Sequence, residues 1–155
     1  MQIKRITLSE YKLVTDLFNN YRVFYKQPPD IVLAENFIKA RLENKESVIF
    51  VALADKNGEP APVGFTQLYP LLSSMRAAKN WLLNDLYVEP DNRRQGIGQA
   101  LIKTAMAFAR DQNASFVKLE TAFDNYTAQR LYEATGFKRQ EPGKTFIAYT
   151  VQLQQ

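Results

Sequence analysis

The apolar residues of this chain recur with two different periods, which predict an alternation of helices and strands. Runs that are rich in β-branched and aromatic residues, or that alternate apolar with polar residues, predict strands. The predicted strands are 2–8, 47–54, 61–71, 81–89, 114–121, 137–139 and 146–153. Apolar residues spaced three or four apart predict helices. The predicted helices are 10–26, one that begins near residue 30, 98–111 and 125–135.

Turn-forming residues between these segments indicate how the strands pair. Pro28 and Pro29 end the first helix because the residue before a proline is disfavoured in a helix. Asn57-Gly58 between two strands predicts a tight hairpin and antiparallel pairing, whereas the later strand–helix–strand order predicts one parallel crossover. We therefore expect a single α/β (α+β) domain over residues 1–155, with a mixed, mostly antiparallel sheet of six to seven strands and about four helices.

Composition limits the chemistry that the chain can perform. It contains no cysteine and no histidine, which excludes disulfides, thiolate nucleophiles, a Ser-His-Asp triad and most zinc sites. Acid–base chemistry therefore falls to Asp, Glu, Tyr, Lys or water, and no metal is expected. The net charge of +4 is spread along the chain, which favours a solvated surface over nucleic-acid binding. No apolar run reaches the roughly 18 residues that a membrane span needs, so we expect a cytoplasmic protein with no membrane partner.

A glycine pair after a buried strand predicts an anion site. Pro90 ends the strand because it cannot donate to a ladder. Gly96 and Gly98 then remove side chains from the first turn of the next helix and leave bare backbone N–H groups at its positive end. Arg93 and Arg94 add cationic donors beside them. This arrangement suits a cofactor that carries phosphate.

Two motifs in this order resemble those of the GNAT family of N-acetyltransferases, and the resemblance covers nearly the whole chain. The first is Arg-Arg-Gln-Gly-Ile-Gly, from Arg93 to Gly98, between a strand and a helix. In the second, Asn125 begins a helix, Tyr132 follows seven residues later, and Gly136-Phe137 leads into the next strand. The resemblance implies the GNAT fold, with a split between strands 4 and 5, and acetyl-CoA as the co-substrate.

The resemblance also implies which residues contact acetyl-CoA. Its pantetheine arm would lie along the strand at Leu86, Tyr87 and Val88, and its sulfur end would approach Asn125. Its pyrophosphate would lie on the segment that opens the helix. That segment consists of Arg93, Arg94, Gln95, Gly96, Ile97, Gly98 and Gln99.

For catalysis, the family analogy makes Tyr132 the general acid toward the CoA sulfur. The identity of the general base stays open. The strand is similar to that of the diamine/thialysine (spermidine/spermine-like) branch, but Asn84 stands where that branch has a glutamate, and an amide cannot take a proton. Asp85 and Glu120 are the remaining candidates, either as proton relays or as groups that bind a cationic amine. A structural hydrogen bond at the split is an equal alternative for both.

The acceptor is the least determined part of the prediction. The branch resemblance implies a small primary amine, such as a polyamine or a lysine analogue. The candidate substrate contacts are Tyr25, Asn84 and Asp85, and Tyr25, at the end of the first helix where this fold builds its acceptor wall, is alternatively a packing residue. A protein amine or an aminoglycoside remains open, as does a non-catalytic acyl-CoA-binding module. A dinucleotide-binding module is disfavoured because Leu101 stands at the third glycine position. A homodimer is also expected from the branch, with the β-rich C-terminus from Phe146 as a possible pairing surface.

Overall fold

The structure, a computed structural model, describes residues 1–143 and 145–154. Within these residues the chain forms five strands and four α-helices. The strands are β1 (Gln2–Arg5), β2 (Val48–Lys56), β3 (Glu59–Ser73), β4 (Ala78–Val88) and β5 (Val117–Lys118). The helices are α1 (Lys12–Phe24), α2 (Ile31–Glu43), α3 (Ile97–Asp111) and α4 (Tyr126–Ala134).

The strands form one sheet in chain order, β1-β2-β3-β4-β5. Among the first four strands each neighbouring pair is antiparallel, and β5 runs parallel to β4 after the α3 crossover. Helices α1 and α2 cover one face of the sheet with their buried side chains. Helix α3 covers the other face, where part of α4 also packs. The structure thus has the predicted mixed, mostly antiparallel sheet between two helical layers.

Several turns and helix ends occur where local sequence signals predict them. Asn57 and Gly58 both have positive φ, 54° and 87°, in the β2–β3 hairpin. Helix α2 begins after Asp30, whose side chain accepts a hydrogen bond from the Leu33 N–H. Gly136, with φ of 103°, follows the end of α4. Of the described helices, none is long and apolar enough to cross a membrane.

A bulge in β4 reverses the direction of its side chains. Gln67 of β3 pairs with Asp85, but the next residue of β3 pairs with Leu83, so Asn84 is an extra residue in β4. Before the bulge, Trp81 and Leu83 pack in the cluster under α3. After it, Tyr87 packs in the cluster under α1 and α2. If the same residues were paired regularly, with no bulge, all three would face the same side because strand side chains alternate.

The prediction of six to seven strands is wrong, because the last two predicted strands do not form. Residues 137–139 and 146–153 form no strand, and the strand predicted at 114–121 is reduced to Val117–Lys118. A strand forms only where a neighbouring edge accepts its backbone hydrogen bonds. The alternating pattern at 146–153 indicates a strand-forming sequence, but the two-residue β5 offers it little regular edge.

Candidate active site

Strands β4 and β5 separate soon after they meet. Trp81 pairs with Val117 and Leu82 with Lys118, and no further pair of this ladder occurs in the described residues. From Leu83 onward, the edge of β4 that faces β5 therefore has no strand beside it. An unpaired edge offers backbone donors and acceptors that match the amides of an extended ligand. This is the split that the resemblance implies, and the Asn84 bulge lies at its start.

The three residues predicted for the pantetheine arm lie along this free edge, with side chains on alternate faces. Leu86 and Val88 are half-buried against the cluster under α3. Tyr87 is buried on the opposite face, where its hydroxyl donates to Glu89 over 3.1 Å. Burial, followed by the Glu89 charge, raises the pKa of Tyr87 to about 12. Asn20 of α1 donates to the same carboxylate over 2.9 Å, which ties α1 to the end of β4.

The start of α3 has features that favour the binding of an anion. Gly96 has φ of 80° and Arg94 has φ of 63°, so the chain turns sharply before the helix. Within residues 1–143 and 145–154, no backbone N–H from Arg94 to Gln99 donates a hydrogen bond. Free N–H groups at the positive end of a helix bind phosphate well. Ile97 is buried and anchors the turn, whereas Gln95 and Gln99 are exposed.

The side chain of Arg93 points toward β4 and α1 and not along α3. Its Nε donates to the Val88 carbonyl over 2.8 Å. Its guanidinium lies 5.5 Å from the centre of the Phe24 ring and 5.6 Å from that of Tyr87. Arg93 therefore links the free edge of β4 to α1 and does not extend along α3.

The second motif lies beside the first. Asn125 caps α4, since its Oδ1 accepts from the Ala128 N–H over 3.1 Å. A Cβ on Gly98 would lie 3.3 Å from a methyl group of Leu131, so the glycine allows α3 and α4 to approach closely. The two helices thus bring Asn125 and Tyr132 to the side of the sheet where α3 begins.

Tyr132 is half-buried and lines a groove of about 1240 Å³ between α3, α4, β5 and the segment that follows α4. Its ring lies 6.0 Å from that of Phe137. Burial, with a smaller effect from Tyr25, raises the pKa of Tyr132 to about 12. The phenol is therefore protonated at neutral pH and has a proton to donate.

Asp85 is a buried carboxylate at the split, only 3% exposed. It accepts hydrogen bonds from the side-chain amide of Gln67 and from Asn84 Nδ2, the latter over 2.8 Å. The Tyr21 hydroxyl of α1 points at the same carboxylate. Burial raises the pKa of the Asp85 carboxyl, and these three donors act in the opposite direction.

A group of tyrosines lies close to Asp85. Tyr21 and Tyr25 lie one turn apart on α1 with ring centres 4.9 Å apart. Burial and then the Asp85 charge raise the pKa of both phenols. Tyr132 also contributes to the raised pKa of Tyr21, which brings the candidate acid and the carboxylate into one electrostatic group. Tyr25 is 46% exposed and forms the outer part of this wall.

The structure separates the two carboxylates that the sequence proposed as bases. The Glu120 side chain is 80% exposed and lies 3.8 Å from Lys118. It borders a hollow of about 140 Å³ together with Asn84, at the mouth of the split. Asp85 instead faces α1. Sequence reasoning did not select Gln67 or Ser47, which lie behind Asp85; the only signal was a glutamine on the apolar face of β3.

Among the described residues, no group of three or more Asp and Glu side chains is placed to hold a metal ion. The site therefore consists of a free strand edge, a helix start with free N–H groups, a protonated phenol and a buried carboxylate. Such a site can hold an extended phosphate-bearing ligand and move protons at its inner end.

Comparisons with known proteins identify the family of the chain. The model of the acetyltransferase (GNAT) family matches residues 11–137. An uncharacterized N-acetyltransferase, YhfO of Bacillus subtilis, is 43% identical over 99% of this chain and 98% of its own. A probable acetyltransferase of Haemophilus influenzae is 32% identical over 82% of this chain and 83% of its own. The crystal structure of another probable acetyltransferase superposes with a TM-score of 0.87 at 37% identity, over 100% of this chain and 99% of that one. The chain is therefore an N-acetyltransferase that belongs to the GNAT family.

Proposed function

We propose that the enzyme transfers the acetyl group of acetyl-CoA to a primary amine of a small cationic molecule, such as a polyamine or a lysine analogue. The observation that carries this proposal is the group formed by Tyr132, the two α1 tyrosines and the buried Asp85 carboxylate beside the free edge of β4. A carboxylate behind aromatic rings suits an ammonium group, because both the charge and the ring faces attract a cation.

The free edge of β4 and the start of α3 offer groups that match acetyl-CoA. Members of this family use acetyl-CoA. The free edge of β4 would bind the two amides of the pantetheine arm, and the free N–H groups from Arg94 to Gln99 would bind the pyrophosphate. The backbone N–H of Leu86 or Val88 would stabilise the oxyanion that forms during transfer.

The proton transfers can then be assigned. The ammonium of the acceptor loses one proton to Asp85, and we assign the relay to the Tyr21 hydroxyl, which acts to lower the pKa of the Asp85 carboxyl. The neutral amine attacks the thioester carbonyl, a C–N bond forms, and the C–S bond breaks. Tyr132 gives its proton to the sulfur, and the proton that leaves the new amide nitrogen restores the phenol. One proton is released in each turnover.

The first test is an acetyl-transfer assay with a panel of amines. The panel contains diamines, spermidine, lysine and its thialysine analogue, an aminoglycoside, and peptides with free N-termini or lysines. We expect turnover with at least one small cationic amine and little with neutral amines. Acetylation of the peptides alone would contradict the small-molecule proposal. Binding of acetyl-CoA with no turnover on any amine would indicate a non-catalytic module.

The role of Tyr132 is tested with two variants of one helix. Tyr132→Phe should lower kcat about 10²- to 10⁴-fold, because a general acid contributes on that order. It should leave the acetyl-CoA-dependent rise in Tm unchanged. Tyr126→Phe is the matched control, since Tyr126 also lies on α4 but is 60% exposed. Equal activity of the two variants would exclude Tyr132 as the acid.

A further inference from the structure

Three buried polar residues form a row across the sheet on the face toward α1 and α2. Ser47, just before β2, is 8% exposed, Gln67 of β3 is fully buried, and Asp85 of β4 is 3% exposed. The Ser47 hydroxyl is 2.8 Å from Gln67 Oε1, and Gln67 Nε2 bonds to Asp85 Oδ2. The row crosses three neighbouring strands without a gap.

The chemistry of the groups fixes the direction of each hydrogen bond. An ionised carboxylate only accepts, so the amide of Gln67 must turn its NH₂ group toward Asp85. Its carbonyl oxygen then faces Ser47, which must donate. Ser47 thereby holds Gln67 in the one amide orientation that favours an ionised Asp85.

The neighbours of this row are apolar. Phe65 lies two residues before Gln67 on the same face of β3, packs under α1 and α2, and is fully buried. An apolar side chain at position 67 would continue this packing, whereas a buried amide needs partners to offset its desolvation. At its Asp85 end the row meets Asn84 at the split and Tyr21 in the wall of the candidate acceptor site. Its placement therefore suggests a role at that site.

We infer that Gln67, held by Ser47, is a positioning residue that orients the Asp85 carboxylate toward Tyr21 and keeps it ionised so that it can accept the proton of the acceptor amine. This inference rests on the proposed function, which gives Asp85 that proton. Gln67 itself is fully buried, so we expect it to act through Asp85 and not by contact with the substrate. Its effect is to hold the Asp85 carboxylate in one orientation and to favour its ionised form, which burial alone disfavours.

The other groups near Asp85 do not compete for this titration. Tyr21 and Tyr25 face it from α1 and Tyr69 from β3, and burial raises the pKa of all three phenols. Beyond Tyr69 lie Arg41 and Glu46, which pair with each other over 3.3 Å. Tyr132 faces the group from α4 and is also protonated at neutral pH. Among these groups, Asp85 is thus the one whose charge the Gln67 hydrogen bond controls.

The test replaces Gln67 by methionine, which has a similar length but no donor. Loss of a donor to the charged form should raise the pKa of Asp85. We expect the acidic limb of kcat/KM for the amine to move to higher pH by about one pH unit, so that activity below the limb falls about tenfold. KM for acetyl-CoA should not change. An acidic limb that stays in place in Gln67→Met would overturn the inference.

A second variant and a control separate this effect from a loss of stability. Ser47→Ala keeps the amide but frees its orientation, and it should move the limb in the same direction by a smaller amount. Thr66→Val is the control. Thr66 is fully buried and donates to the backbone carbonyl of Asp85 over 2.8 Å, not to its carboxylate. It should lower Tm without moving the limb, and a limb shift equal to that of Gln67→Met would also overturn the inference.

Carbon NMR of protein labelled with ¹³C-aspartate measures the Asp85 titration without any turnover. An Asp85 titration that is the same in wild type and Gln67→Met overturns the positioning role, whatever the activity. If that titration moves but Asp85→Asn keeps full turnover, the positioning role stands and the proposed proton path through Asp85 fails. If both roles hold, Gln67→Met should have no added effect on the pH profile in the Asp85→Asn background.

Discussion

At the scale of single residues, the site depends on positions where no side chain fits. Gly64 of β3 is the clearest example. A Cβ there would lie 2.9 Å from the Tyr87 carbonyl oxygen, 3.3 Å from a methyl group of Val88 and 3.4 Å from one of Leu101. The tightest contact is with backbone, which cannot rotate away. Gly64 therefore lets β3, β4 and α3 meet next to the free strand edge.

We predict that Gly64→Ala destabilises the protein by about 1–3 kcal/mol, the usual cost of an overpacked core. Urea unfolding followed by circular dichroism measures it. Gly143→Ala is the matched control, since a Cβ there would meet nothing within 4 Å. Its effect should stay within about 0.5 kcal/mol. Equal unfolding midpoints for the two variants would show that the strands can shift to admit a methyl group.

At the scale of secondary-structure elements, two helices carry similar caps but have different expected roles. Asn125 caps α4 beside the start of α3, in the candidate acetyl-CoA site, and Asp30 caps α2 on the opposite face of the sheet. Each side chain accepts one backbone N–H at the helix start. The pair therefore allows a cap's contribution to stability to be separated from a contribution to binding.

Asn125→Ala and Asp30→Ala should each cost about 1 kcal/mol of stability, the typical value of a lost cap. Only Asn125→Ala should also weaken acetyl-CoA binding, because α4 carries the residue expected near the sulfur. Thermal unfolding and calorimetric titration with acetyl-CoA measure the two effects. The assignment of Asn125 to the cofactor site would be wrong if both variants bound acetyl-CoA as tightly as the wild type.

Local sequence signals predicted the elements that depend on local contacts. The helices, the Asn57-Gly58 hairpin and the glycine that follows α4 all follow from propensities within a few residues. The prediction of the C-terminal strands failed because strand pairing depends on an edge contributed by a distant segment. Gln67 could not be predicted either. Its role depends on Asp85, 18 residues away in the chain and adjacent only across the sheet.

At the scale of the whole molecule, the C-terminal segment leaves a large apolar surface uncovered. Five of its side chains are 75% exposed or more: Phe146, Ile147, Tyr149, Val151 and Leu153. Exposed apolar surface of this extent commonly marks a protein–protein contact. The alternating pattern would also allow the segment to pair as a strand with the edge of another sheet.

We propose that the enzyme forms a homodimer and that this segment contributes to the interface. Light scattering coupled to gel filtration should give twice the mass of one 17.8 kDa chain. Replacement of Ile147 and Val151 by lysine should shift the protein toward the monomer. Met75→Lys is the control, since Met75 is 84% exposed in the β3–β4 turn. A wild-type protein that stays monomeric at every concentration would refute the proposal.

The extra residue in β4 has a consequence for the changes that this gene can tolerate. Substitution at Asn84 removes one hydrogen bond to Asp85 and leaves the strand in place. An in-frame deletion of the same codon would also keep the faces of β4, because Asp85 would then follow Leu83 directly and still pair with Gln67 on the opposite face. Deletion of a regularly paired residue such as Leu86 would instead turn Tyr87 out of the layer under α1 and α2, because strand neighbours alternate between faces. Deletions should therefore be tolerated at position 84 far more often than at position 86.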